Sequence, residues 1–250
     1  GAALSPGFRK RAYQNSFFTS PQCAILSLRR KFLIDIISKN DIMFNRQYVS
    51  ILRVFNPEVK NMYHFYAMLS RMKNIYRWGL MRNTRNENLS EHSLETAFIA
   101  HALAVIRNRR FGGNTDPCRV AAAAMFHDTS EIITGDMPTP IKYYNEELRR
   151  AYKEIEATAC DRLTDMLPED MREDFMPLYY PDGETERLVK AADKISALIK
   201  CTEELNMGNR EFSAAAESTR RAVEEMQLPE AQVFLNEFME SFSLTLDEQQ

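Results

Sequence analysis

What most constrains this chain is residues 125–140, Met-Phe-His-Asp-Thr-Ser-Glu-Ile-Ile-Thr-Gly-Asp-Met-Pro-Thr-Pro. They follow an apolar helical stretch that begins Pro117-Cys-Arg-Val-Ala-Ala-Ala-Ala, and they open by placing His127 and Asp128 side by side at its end. An imidazole and a carboxylate are both acceptable ligands for a borderline divalent metal. Glu131 comes four residues after His127, so a continuous helix puts it one turn along on the same face. Gly135 then ends the helix as a C-cap glycine does, and Asp136 follows. Met137-Pro-Thr-Pro140 cannot continue it, because each proline also disfavours α geometry in the residue before it. A histidine-aspartate pair, an acid and a stiff polar loop thus fall within about four turns. The same residues also suit a plain helix end with a capping carboxylate.

The rest of the chain reads as helix. Glycine is scarce, 8 in 250 residues, and β-branched runs are short, which favours helix over sheet. A hydrophobic share of 44%, with 15 Phe and 13 Met, supplies a sizeable core. Start signals recur: Asn88 or Ser90 with Glu91 in the first turn, and Asp116 ahead of Pro117. Further helices are expected over 145–167, stopped by Pro168, then to Met176 before a Pro-Leu-Tyr-Tyr-Pro-Asp-Gly loop. Others are expected over 184–207, ended by Gly208-Asn209, and over 210–227 and 229–242.

Individual side chains then ask for partners. Phe65, Leu69, Met72 and Tyr76 form a stripe at helical spacing, ending near Arg77-Trp78-Gly79. Trp78 is the only tryptophan. A lone Trp suits a core or interface anchor, whereas an Arg beside an aromatic at a helix end suits an anion and a ring or sugar face. His92 falls in the first turn of the next helix, whose expected buried side is Ala97, Phe98, Ala100, Ala104 and Val105. His101 lies about 180° around that helix from His92, so the two do not share a site; His101 reads as a partly buried structural histidine, and His64 is unclaimed. Asp193 stands beside the apolar stripe Leu188, Ala192, Ile195 and Ile199. An aspartate in mid-helix has poor propensity and calls for a partner, for which Lys190 and Lys194 are one option.

Charge divides the chain. Residues 1–60 carry 10 Lys and Arg against 3 Asp and Glu, while residues 61–250 carry 22 against 32. The acidic body offers no electrostatic footprint for a nucleic-acid polymer. The basic, acid-poor opening can mimic a transit peptide and reads as an extension of unknown role ahead of one domain over 61–250. No apolar run approaches the length of a membrane span. Cys23, Cys118, Cys160 and Cys201 lie far apart with no CxxC, which reads as reduced thiols in a cytoplasmic protein.

Combined in chain order, His92, His127, Asp128 and Asp193 make the pattern H…HD…D. Two imidazoles with two carboxylates suit Mn, Fe, Co, Ni or Zn. In this the chain resembles the HD-domain metal-dependent phosphohydrolases. Phe65 to Trp78, Asn83-Thr-Arg-Asn-Glu-Asn-Leu-Ser-Glu-His-Ser93, His127-Asp-Thr-Ser-Glu131, Thr134-Gly-Asp-Met-Pro-Thr-Pro140 and Lys200-Cys-Thr-Glu-Glu204 narrow the resemblance to the bacterial 5'-deoxynucleotidases, over residues 62–248. A lone His-Asp dipeptide is weak; the whole set in this order is specific.

The resemblance implies an all-α helical bundle with a metal site between helices, a homodimer, and removal of phosphate from deoxyribonucleoside 5'-monophosphates. By that resemblance His92, His127, Asp128 and Asp193 hold one divalent transition metal per chain, Co2+ or Mn2+. The same implied site binds substrate through Arg77 at the phosphate and Trp78 beside the sugar, with His92, Asp128 and Asp193 also near it. Glu131 handles protons, and Asp136, Met137, Pro138 and Thr139 meet the sugar, with Asp136 accepting from the 3'-hydroxyl. Met137 departs from the family, which carries Leu there, an apolar exchange of little weight. Two readings stand beside this one. HD proteins also cleave alarmones, cyclic nucleotides or deoxynucleoside triphosphates, which need more cations than Arg77, Arg82, Arg85 and Lys142 supply. A non-catalytic nucleotide sensor would have no use for acids at Glu131 and Asp136.

Overall fold

The buried faces expected from sequence periodicity meet at one long helix, and its capping shows why it starts where it does. In the computed structural model, which describes residues 62–142 and 144–250, Asp182 accepts a hydrogen bond from the Thr185 backbone at 2.9 Å. That N-cap satisfies an otherwise orphaned amide and launches Gly183–Asn206. Residues 1–60, with their apolar runs and Cys23, lie outside the described residues.

The described helices are α1 (Phe65–Leu69), α2 (Leu89–Phe111), α3 (Pro117–Phe126), α4 (Glu131–Thr134), α5 (Thr139–Lys142), α6 (Glu146–Thr164), α7 (Arg172–Tyr179), α8 (Gly183–Asn206), α9 (Ser213–Glu225) and α10 (Pro229–Glu237), with short 3-10 turns between some of them. Among the described residues there is no strand. One isolated antiparallel bridge joins Tyr76 and Asn88. The fold is an all-α bundle, as expected.

α8 buries Leu188, Ala192, Ile195 and Ile199, the expected stripe, together with Leu198. It packs against α2, α3 and α9, and these surfaces merge with α10 in the main core. Each fully buried Leu or Ile contributes on the order of 1.5–3 kcal/mol relative to exposure. Shortening Leu103 of α2, which is 0% exposed, to Ala is expected to cost roughly 2–5 kcal/mol. A second cluster joins Phe65 of α1 to Leu163 and Leu167, with Phe126, Phe175 and Tyr179 against it.

Several sequence expectations need correction. The Phe65 stripe stops at Met72: α1 gives way to a 3-10 turn at Ser70–Asn74, Ile75 is extended, and Tyr76 is exposed. On α2, Phe98 is 67% exposed and Val105 lies at the surface, while Ala97, Ala100 and Ala104 are buried as expected and are joined by Ile99, Leu103 and Ile106. His101 is exposed, not partly buried. α7 continues through Pro177 to Tyr179, where a loop was expected.

The helix from Pro117 is also not continuous through Glu131. It ends at Phe126, and residues 127–130 form a turn before α4. The cause is local. His127 Nδ1 lies 2.6 Å from the Ala124 carbonyl oxygen, and Thr129 Oγ1 donates to the Phe126 carbonyl at 2.8 Å. Side chains thus take carbonyls that a continuing helix would use. Gly135 closes α4 with φ 74° and ψ 160°, a conformation essentially reserved for glycine.

Candidate metal centre

Three elements bring the expected ligands together. His92 lies in the first turn of α2, whose start is fixed by a capping box: Asn88 Oδ1 accepts from the Ser90 and Glu91 amides, and Glu91 accepts from the Asn88 amide. His127 and Asp128 come from the turn between α3 and α4, and Asp193 from the middle of α8. One ligand atom from each of the four lies within 4.8 Å of the other three.

Hydrogen bonding sets the tautomers. Ser196 Oγ donates to Glu95 Oε2 at 2.6 Å, so its oxygen is left to accept from His92 Nδ1 at 3.1 Å. The Nε2 lone pair of His92 then faces Asp193 Oδ1 at 3.1 Å and Asp128 Oδ2 at 3.5 Å. His127 is set likewise, because the Ala124 carbonyl only accepts and so fixes the proton on Nδ1. Its Nε2 is buried without a hydrogen-bond partner, 3.2 Å from Asp128 Oδ2. Two imidazole Nε2 atoms, that of His92 also 3.4 Å from Thr96 Oγ1, and two carboxylates facing one point fit a divalent metal ion.

The electrostatics agree. Burial opposes charge on His127, yet the charges of Asp128 and Asp193 lift it to about 9. Burial opposes charge on Asp128 as well, but the His127 and Arg77 charges hold it far below the usual carboxylate range. Asp193 is held low against burial by His92. The cluster favours positive charge at its centre. His92 is fully buried and the Asp193 side chain is 37% exposed, so the open side of the centre is that of Asp193.

Arg77 touches this cluster directly. It donates to Asp128 Oδ2 at 3.0 Å, and its other terminal nitrogen is 3.9 Å from Asp193. Trp78 is partly buried at φ 61°, its indole tilted on the buried ring of Phe212 at 5.4 Å and its Nε1 donating to Glu87 Oε2 at 2.8 Å. The anchor expectation therefore holds for one part of the ring. Asp136 accepts a hydrogen bond from the Trp78 backbone, and burial raises its carboxyl.

Glu131 is 5% exposed, and its Oε2 has no hydrogen-bond partner. Burial, then the neighbouring Asp128 and Asp136 charges, push it up to about 9. Met137 and Pro138 are partly buried in the loop that follows. Thr139 opens α5, and its side chain lies outside the described residues. The ion pair of Lys190 is with Glu186, whereas Asp193 faces histidines.

Three supporting residues escaped sequence reasoning. Ser196 had a signal, since it stands three residues after Asp193 on the same helix face. Glu95 had a weaker one, at three positions after His92. Glu87 had none, being one acid in a polar loop.

The family model described as 5'-deoxynucleotidase YfbR-like matches residues 64–242. A 5'-deoxynucleotidase of Photobacterium profundum is 52% identical over 188 residues, covering 74% of this chain and 97% of that protein. One from Vibrio cholerae is 53% identical over the same shares. Among solved structures, an HD-domain phosphohydrolase from Listeria innocua superposes with TM-score 0.63 at 22% identity, covering 72% of this chain and 88% of that one. A cyanophage S-2L HD phosphohydrolase, bound to dA and one catalytic Zn2+ ion, gives TM-score 0.51 at 19% identity over 71% of this chain and 95% of that one. These two show the shared fold.

Proposed function

The chain belongs to the YfbR-like 5'-deoxynucleotidase family, and from that premise we propose that it hydrolyses deoxyribonucleoside 5'-monophosphates to deoxyribonucleosides and phosphate. The observation that carries the assignment to particular residues is the convergence of His92, His127, Asp128 and Asp193 within 4.8 Å. These four hold one divalent ion per chain. When bound, the ion supplies a Lewis acid for the phosphoryl group and acidifies water near neutral pH.

The chain's own residues do the rest. Arg77, a planar and permanently charged donor, is the cation that the described ion pairs bring to the cluster, and it clamps phosphate oxygens. Glu131 holds a proton in a buried, unpartnered carboxyl and delivers it to the leaving 5'-oxygen. Asp136, tied to the Trp78 backbone, accepts from the sugar 3'-hydroxyl, and Met137, Pro138 and Thr139 line the sugar beside it. Trp78 packs against C2'.

The monophosphate reading is favoured over multiply phosphorylated substrates because, among the described residues, Arg77 is the cation paired with the cluster's carboxylates, and the others pair elsewhere. Lys142 pairs with Glu156 at 2.8 Å, Arg82 with Glu211 at 2.6 Å, and Arg85 with Glu91 at 3.8 Å. Finer points belong to the same proposal: Co2+ or Mn2+ as the ion, a homodimer, a cytoplasmic location and a domain over 61–250 that is self-sufficient. Cys118, Cys160 and Cys201 are free thiols, in keeping with a reducing compartment. Among the described residues no helix is long and apolar enough to cross a membrane. Phosphate release from a panel of deoxy and ribo mono-, di- and triphosphates, with Co2+, Mn2+, Mg2+ or no metal, tests the function. Turnover confined to deoxyribonucleoside monophosphates with added metal is expected; preference for a triphosphate or for ribonucleotides would overturn it.

A further inference from the structure

Glu87 precedes the N-cap of α2, as the one acid of a polar loop, yet it is only 9% exposed. Its position is fixed by the backbone. The Arg77 amide donates to the Glu87 carbonyl at 3.0 Å and the Leu89 amide to the Ile75 carbonyl at 3.0 Å, so residues 75–77 and 87–89 run antiparallel as a short clip. That clip turns the Glu87 carboxylate toward three residues at once. Oε2 accepts from Trp78 Nε1 at 2.8 Å and lies 3.5 Å from Arg77 Nε. Oε1 lies 3.6 Å from His92 Nδ1, on the side of the imidazole away from Asp193.

Trp78 needs such a partner. Its φ of 61° is a region that a bulky residue rarely adopts, and such conformations persist only where the surroundings over-determine them. The indole has two restraints beyond its backbone, the face of Phe212 and the carboxylate of Glu87. The contact with Phe212 is non-directional, whereas the bond from Nε1 singles out one edge of the indole. Arg77 Nε is buried without a hydrogen bond, so the same carboxylate is the nearest charge to steady the guanidinium from behind while its far end meets Asp128.

We infer that Glu87 is the positioning residue that fixes the indole of Trp78 and the guanidinium of Arg77 against each other, so that discrimination between deoxyribose and ribose depends on a carboxylate that touches neither sugar. The specificity half of this inference rests on the deoxynucleotidase reading above; the positioning half does not.

Because Trp78 is the only tryptophan in the chain, intrinsic fluorescence of the full-length protein reports on this one ring. Emission spectra, helical circular dichroism and kcat/KM for dAMP and AMP are measured in wild type, Glu87→Ala and Glu87→Gln. Glu87→Ala is expected to shift the emission and to narrow the dAMP/AMP ratio by about tenfold, the scale of one oriented charge-assisted hydrogen bond. Glu87→Gln keeps an acceptor for Nε1 but loses the charge facing Arg77. It is expected to restore the emission and the ratio while raising KM for both substrates alike. Trp78→Phe approaches the same bond from the donor side, keeps the ring on Phe212, and should narrow the ratio even if Glu87→Ala fails to fold. Unchanged emission in folded Glu87→Ala overturns the positioning. A changed emission with an unchanged ratio, or a Trp78→Phe enzyme with wild-type selectivity, overturns the link to specificity. A wild-type enzyme with no preference for dAMP sinks the substrate reading and the specificity half with it, and the emission spectra still decide the positioning.

Discussion

Asp193 and Ser196 stand one turn apart on α8 and face opposite nitrogens of the same imidazole: Asp193 Oδ1 is 3.1 Å from His92 Nε2, and Ser196 Oγ is 3.1 Å from His92 Nδ1. A single helix thus supplies one candidate ligand and orients another.

Removing the supporting hydroxyl is therefore expected to loosen the metal without abolishing it. Ser196→Ala should lower divalent-ion affinity by about tenfold, the lower end of what outer-shell partners contribute, whereas Asp128→Ala should lose metal and activity together. Calorimetric titration with Mn2+ or Co2+, beside elemental analysis, checks both. Full metal content in Asp128→Ala would show that the ligand set is wrong.

Trp78 is expected to act by shape. An indole against C2' leaves a ribose hydroxyl crowded and unpartnered, at a cost of about 1–3 kcal/mol, or roughly a tenfold to hundredfold preference for deoxyribonucleotides. Trp78→Ala should lower activity and narrow that preference, while Arg77→Ala should weaken both sugar classes equally through lost phosphate contact. Comparing kcat/KM for dAMP and AMP, with melting temperatures alongside, separates the roles. An unchanged ratio in folded Trp78→Ala would reduce its indole to a packing element on Phe212.

Acid stability is expected to depend on Glu204. This carboxylate is 1% exposed and is paired with Lys200, and it accepts from the Thr84 amide and hydroxyl, the Arg85 amide and Asn209 Nδ2. Burial would raise it, but Lys200 and these donors hold it well below the usual carboxylate range. With its folded value depressed, its stabilisation is fully present above the ordinary Glu range near 4.5 and drains away as pH falls toward the folded value. Glu204→Gln should flatten that acid limb. At neutral pH it leaves Lys200 buried and unpaired, which costs about 3–5 kcal/mol and lowers the Tm by roughly 10 °C. Thermal melts from pH 3 to 8 measure both effects; parallel curves for the two proteins would contradict the assignment.

A chain starting at Met62 should fold and keep most of its activity, because every motif lies at or after Phe65 and the family match spans 64–242. Circular dichroism and dAMP hydrolysis by the shortened protein check this. An insoluble or folded but inactive product would place residues 1–60 in the working unit.

The candidate ligands were legible in the sequence because each sits at an element boundary or against helical propensity: His92 just inside a capping box, His127 and Asp128 at a helix end, Asp193 in mid-helix beside an apolar stripe. The helix of Gly183–Asn206 was legible to within a residue or so of each end, its periodicity and caps agreeing. What failed has a common cause. Phe98 and Val105 look like core because they are apolar, but their exposure is decided by where α8 and α3 lie, which no local pattern records. Pro177 reads as a stop, yet it lies inside α7, and the helix runs only two residues beyond it, to Tyr179, so it still ends within a turn of the proline. Glu87 and Glu204 were legible only as members of longer motifs, since Trp78, Arg77 and Thr84, which they meet, lie across a loop or across the fold.

The break in the helix after Phe126 has one more consequence. On α-helical backbone, neighbouring residues point about 100° apart, and His127 keeps such backbone, with φ −59° and ψ −37°. What the turn adds is the contact of His127 Nδ1 with the Ala124 carbonyl, which holds the ring with Nε2 3.2 Å from Asp128 Oδ2. A protein engineer wishing to transplant this centre would gain little by grafting the dipeptide onto a regular helix. The portable unit is the kink itself, with the Ala124 and Phe126 carbonyls that His127 and Thr129 cap.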